Sequence, residues 1–125
     1  MSRRSEREEA FKVLYAREVT GEYQPEENGE FVSQLIEGVE EHHDTLDEQL
    51  SEHLDEWRMD RIYPVERVLL RLGLFEILHT ETNKAVVINE AVELAKRYGD
   101  EGTAAFVNGL LDNFSKSETR ESVDS

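Results

Sequence analysis

The side chains able to do chemistry in this sequence fall into three groups. The first is imidazole: His42, His43 and His53 lie within one short stretch. A metal site on a helix needs ligands at helical spacing on one face, and adjacent residues such as His42 and His43 point apart. Solvated histidines are the simpler reading, and no metal is expected. The second is guanidinium: Arg3, Arg4 and Arg7 open the chain. A basic arm of this kind contacts nucleic-acid phosphates and orders on binding. An ordinary capped helix with exposed arginines is the alternative that composition favours. The third is carboxylate, 29 Asp and Glu in all, without the signature of a tuned acid–base pair. Cysteine is absent, which removes thiolate nucleophiles, disulfide frameworks and sulfur-ligated zinc. The sequence contains neither a nucleotide-type glycine-rich loop nor a His-Glu-x-x-His pair. Catalytic residues are therefore expected to be none, and the protein is not expected to be an enzyme.

Charge then narrows the candidate partners. The net charge is −15, and residues 22–57 hold thirteen acids with no lysine or arginine. Basic residues gather on either side, as Arg3, Arg4, Arg7, Lys12 and Arg17 before this run and Arg58, Arg61, Arg67 and Arg71 after it. RNA is repelled by the acidic run and approaches only near the basic segments. A basic protein partner is attracted by the same run, and a solvated face is the plain alternative. Ten arginines against four lysines, in an acid-rich chain, also suit concentrated salt, where self-repulsion is screened. Maximal stability without added salt would contradict that idea.

The elements that must position these groups are helical. At 125 residues the chain is expected to form one domain with a substantial core. No apolar run approaches the roughly 20 residues that span a bilayer, and the charged start lacks the apolar segment of a secretory signal, so a cytoplasmic location is expected. Six helices are read. The first covers about Ser5 to Thr20, with Ser5 and Glu8 as a capping box and Gly21 as its stop. Residues 22–29, with Pro25, Asn28 and Gly29, read as a loop. The second covers about Glu30 to His42, with Val32, Leu35, Ile36 and Val39 as one buried stripe. The third starts near Thr45 and repeats Leu46, Leu50, Leu54 and Trp57. Residues 58–63 form a connection with room for one extra short turn. The fourth, PVERVLLRLGLFEILH, begins at Pro64 and is apolar almost all round, so it should be the central buried element, with a close neighbour at Gly73. The fifth covers about Val86 to Tyr98. The sixth covers about Thr103 to Phe114, with Val107, Leu110, Leu111 and Phe114 inward. Residues 115–125 are polar and expected to be disordered. Short connections between helices imply antiparallel neighbours in an all-α domain.

Particular stretches go further. RRSEREEAFKVLY, from Arg3 to Tyr15, resembles the opening helix of the NusB family of transcription antitermination factors. VERVLLRLGLFEIL, VVINEAVELAKRYG and FVNGLLD resemble its three C-terminal helices, in the right order and spacing. The resemblance runs nearly to Phe114. It implies an all-α fold of two small subdomains, residues 5–57 and 64–114 within a domain of 1–114, with no catalysis and no cofactor. It implies pairing with NusE, a small-subunit ribosomal protein, and binding to the boxA element of nascent RNA. It further implies action within the RNA polymerase antitermination complex that reads through terminators, notably in ribosomal RNA operons. Homodimers also occur in the family.

Residue by residue, Arg3, Arg4 and Arg7 match the basic arm. Tyr15 matches a tyrosine at the binding surface, with core packing as the alternative. Phe106 matches the phenylalanine of the last motif, where a ring could stack on a base or form a core edge. Lys84, Lys96 and Arg97 are read as the basic end of the fifth helix, extending the RNA path. Glu66, with Asp60 nearby, matches the NusE interface. Asn89, Glu90 and Asn108 are expected to satisfy backbone groups between helices. The unusual acidity implies weak RNA binding by the chain alone, with NusE supplying positive surface. A helical protein-binding adaptor with little RNA binding of its own is the runner-up.

Overall fold

A computed structural model describes residues 2–21 and 29–124, the side chains at 56, 57 and 118–124 excepted. Most of the expected loop over 22–29 and the Trp57 ring thus lie outside the described residues. The described chain forms seven helices. Helix α1 spans Arg3–Thr20. It begins at Ser2 rather than Ser5, because two serines cap each other. Ser2 Oγ accepts the Ser5 N–H at 3.1 Å, and Ser5 Oγ accepts the Ser2 N–H at 3.2 Å. The earlier start draws Arg3 and Arg4 into the helix that already held Arg7. Gly21 ends it as read, at φ +86°, in the left-handed region where glycine is unstrained.

Helices α2 (Glu30–Glu41) and α3 (His43–His53) meet at His42. The expected stripe of α2 is buried, together with Phe31. Gly38 is a requirement of packing: a Cβ there would stand 2.1 Å from Cζ of Phe75. Helix α4 (Glu56–Asp60) occupies part of the expected connection, started by Asp55, whose carboxylate accepts the Arg58 N–H at 2.7 Å. Helix α5 (Pro64–His79) is the central element foreseen from its composition. It packs against α1, α2 and α3 and also against α6 and α7, joining the two groups of helices. At Gly73 a Cβ would lie 2.7 Å from Cδ1 of the fully buried Leu111, so the expected close neighbour is α7.

Helix α6 (Lys84–Tyr98) starts earlier than read because Asn83 Oδ1 accepts the Ala85 N–H at 2.8 Å. Helix α7 spans Glu101–Asp124. Asp100 precedes it and accepts the Thr103 N–H at 2.8 Å; the hydrogen bonds from Thr103 hold this carboxyl below the usual range. Val107, Leu110, Leu111 and Phe114 are all buried. Where a disordered tail was expected, the backbone stays helical to Asp124. No glycine or proline follows Gly109, and Lys116 pairs with Asp112 one turn back at 3.0 Å.

Among the described residues four charged side chains are buried: Arg7, Glu66, Arg71 and Glu76. Each is paired, as burial of charge requires. Arg71 holds both oxygens of Asp47 on α3 at 2.8 Å and Glu18 on α1 at 3.2 Å, so one guanidinium ties three helices. Burial alone would lower its pKa; the hydrogen bonds and charge of Asp47 and Glu18 outweigh that and hold it above the ordinary value.

Candidate nucleic-acid interface

The N-terminal turn of α1 projects Arg3 and Arg4 into solvent from the positive end of the helix dipole. Arginine gains nothing from that dipole, but an approaching anion gains from both. Arg3 lies over the Phe31 ring, 3.9 Å from its centroid. Arg4 Nε reaches across to α6 and donates to both oxygens of Glu90, at 3.0 and 3.2 Å. One turn further along, Glu8 accepts from Arg97 Nη1 through both oxygens, Oε2 at 2.7 Å. The Tyr98 hydroxyl also donates to Glu8, at 3.2 Å. Hydrogen bonding and the charge of Glu8 raise the Arg97 pKa. Lys96 stands nearby, 3.7 Å from Glu93. Between α1 and α6 these side chains enclose a groove of about 290 Å³, lined by Arg4, Arg7, Glu8, Glu90, Lys96 and Arg97 among others.

Several sequence expectations change here. Arg7 is not part of an exposed arm. It is 7% exposed and donates to both oxygens of Glu76 on α5, at 2.8 and 2.9 Å. Burial would lower its pKa, but Glu76 more than compensates and raises it. Lys84 is not at the basic end of α6; it is the first residue of that helix, and Lys96 and Arg97 lie in its last turn. At 1.5 Å per residue, twelve positions separate Lys84 and Lys96 by about 18 Å. Glu66 is not an open partner contact either. It is 4% exposed and accepts from Arg58 at 2.9 and 3.1 Å and from its own helix start, the Tyr63 N–H, at 3.0 Å. Glu90 pairs with Arg4 instead of serving backbone groups, while Asn89 and Asn108 are exposed.

The other expected residues fall on mixed surfaces. Tyr15 is half-buried and stacked on Phe11, with ring centroids 5.6 Å apart. Phe106 is half-buried, and the Arg58 guanidinium covers it at 3.8 Å from the ring centroid. Asp60 is exposed at the end of α4, near the exposed ring of Tyr63. Sequence reasoning missed Glu8 and Arg58. Their partners lie on other helices, so no local spacing signals them.

Among the described residues no group of three His, Cys, Asp or Glu side chains is placed to hold a metal ion, and no helix is long and apolar enough to cross a membrane. The described residues form an all-helical protein with arginines, lysines and rings along its helix faces. The NusB family model matches residues 4–116, and the chain belongs to the NusB family. It is 41% identical to the transcription antitermination protein NusB of Bacillus subtilis, over 98% of this chain and all of that one. Its fold matches T. maritima NusB with a TM-score of 0.80 at 32% identity, covering 93% of this chain and 92% of the other. It also matches a chain in the crystal structure of antitermination factors NusB and NusE in complex with double-stranded RNA. There the TM-score is 0.79 at 30% identity, over 92% and 96% of the two chains.

Proposed function

We propose that this protein acts in transcription antitermination by binding boxA-type RNA together with a NusE partner, so that RNA polymerase reads through terminators, notably in ribosomal RNA operons. The observation that carries this reading is the shared fold with the NusB–NusE–RNA complex across nearly the whole of both chains. The positive turn of α1 supports it, since Arg3 and Arg4 sit where phosphate is attracted by both side chain and helix dipole. Lys96 extends this surface from α6, Tyr15 offers a half-buried ring on α1, and Phe106 offers on α7 a ring that Arg58 covers. Arg7 serves by fixing α1 to α5 and not by touching RNA. Asp60 supplies an exposed carboxylate for a basic NusE, and Glu66 holds the start of α5 behind it.

The test is fluorescence anisotropy of a labelled boxA-type RNA, titrated with the protein alone and with NusE, at two salt concentrations. Tight, NusE-dependent and sequence-selective binding is expected. A NusE complex without selective RNA binding would leave the adaptor reading in its place. Replacing Arg3 and Arg4 by Ala is expected to weaken RNA binding and spare NusE binding.

A further inference from the structure

The groove between α1 and α6 contains its own competitor for phosphate. Arg4 and Arg97 are the most solvent-facing cations of the groove, their side chains 67% and 66% exposed. Each is held by a carboxylate from the facing helix, Glu90 at 14% and Glu8 at 18% exposure. The acids form the floor and the arginines fold down over them. Two oxygens on one carbon, accepting from a guanidinium, present the same acceptor pattern as two oxygens of a phosphodiester. Beneath them Arg7 is already satisfied by Glu76. The groove therefore has the donors of a phosphate site, but Glu8, Glu90 and Glu93 balance the charge of Arg4, Lys96 and Arg97.

We propose that Glu8 and Glu90 act as phosphate mimics that hold Arg4 and Arg97 closed, and that an RNA backbone phosphate binds this groove by displacing them. The inference rests on the RNA-binding reading above. Exposed ion pairs are weak, so the exchange is easy once RNA is brought close, and unfavourable when free RNA must reach a chain of net charge −15. The two carboxylates thus make RNA binding conditional on a partner that raises the local RNA concentration.

The test uses the full-length chain with variants Glu8→Gln and Glu90→Gln, singly and together, and Glu37→Gln and Glu48→Gln as exposed acids on α2 and α3. The probe is a labelled single-stranded boxA-type RNA, with an oligouridine of equal length beside it, at several salt concentrations. Each groove variant is expected to tighten RNA binding about fivefold, the upper range for releasing an exposed pair. The slope of log affinity against log salt should stay at the wild-type value, because the arginine meets the same phosphate in both once RNA is bound. The Glu37 and Glu48 variants should match wild type at physiological salt, where distant charges are screened. Glu90→Gln placed on Arg4→Ala should gain nothing. Thermal melts confirm that each variant is folded. Wild-type binding that responds to the groove acids no more than to Glu37 and Glu48 would overturn this proposal alone. Absence of RNA binding by every protein, with NusE added, would overturn the RNA reading and this proposal with it.

Discussion

Two sets of arginines in this protein hold carboxylates from other helices in different ways. Arg7 and Arg71 each grip a carboxylate with two nitrogens, one to each oxygen, at 2.8–2.9 Å, whereas Arg4 and Arg97 each offer one nitrogen to both oxygens, Arg4 at 3.0–3.2 Å. Water separates the sets further. The side chains of Arg7 and Arg71 are 8% and 7% exposed, against 67% and 66% for Arg4 and Arg97. A buried pair that loses one member strands a charge that water cannot reach. An exposed pair exchanges its partner for water, salt or a phosphate at little cost. Bond pattern and burial therefore divide the arginines in the same way, into two-nitrogen buried pairs and single-nitrogen exposed ones.

The comparison breaks most visibly at Arg7. Arg7→Ala leaves Glu76 buried and unpaired, and chemical denaturation should register a loss of about 3–5 kcal/mol. Replacing both, Arg7→Met with Glu76→Leu, should recover most of it, because the apolar pair needs no desolvation of charge. Arg71→Ala comes next, at about 1–3 kcal/mol in the same measurement, since Asp47 and Glu18 are 29% and 23% exposed and regain water. Arg4→Ala and Arg97→Ala should leave the denaturation midpoint close to wild type. In RNA titrations each should flatten the salt dependence by about 0.7, the share of one phosphate contact on a single strand.

The smallest effect belongs to His79. Burial first, then the positive form of His42, whose ring stacks on it at 4.2 Å, hold its pKa below the ordinary value, with Glu41 opposing. The unfolded chain therefore takes up the proton more readily. Stability falls as pH drops from about 6.5 through the lower folded pKa, and this contribution changes no further below that. Melting curves should fall less steeply with acidification in His79→Gln than in wild type.

What could be read from the sequence follows the range of each interaction. Helix α5 was legible because its apolar residues surround the whole helix, and the inward stripes of α2 and α7 because their spacing is local. The caps were harder. Ser5 with Glu8 and Ser2 with Ser5 are both plausible boxes, and the choice moved Arg3 and Arg4 from an arm into a helix. Helix α4, five residues long, was legible only as room for one extra short turn after Trp57, and it starts two residues before that connection. The roles of Arg7, Glu8 and Glu90 were not legible at all, because their partners lie 69, 89 and 86 positions away. The family resemblance placed Arg4 and Lys96 on one surface; only the packing of α1 against α6 shows which carboxylates stand among them.

Those sequence separations also order events during synthesis. Helix α1 leaves the ribosome first, yet Arg7 has no counter-charge until Glu76 emerges. At about 5–20 residues per second, the 69 intervening residues take roughly 3–14 seconds. Glu90 and Arg97 follow later still, so the groove that α1 shares with α6 is among the last surfaces a nascent chain completes. A ribosome-bound chain that has not yet exposed α6 carries its α1 arginines without the acids that later cover Arg4.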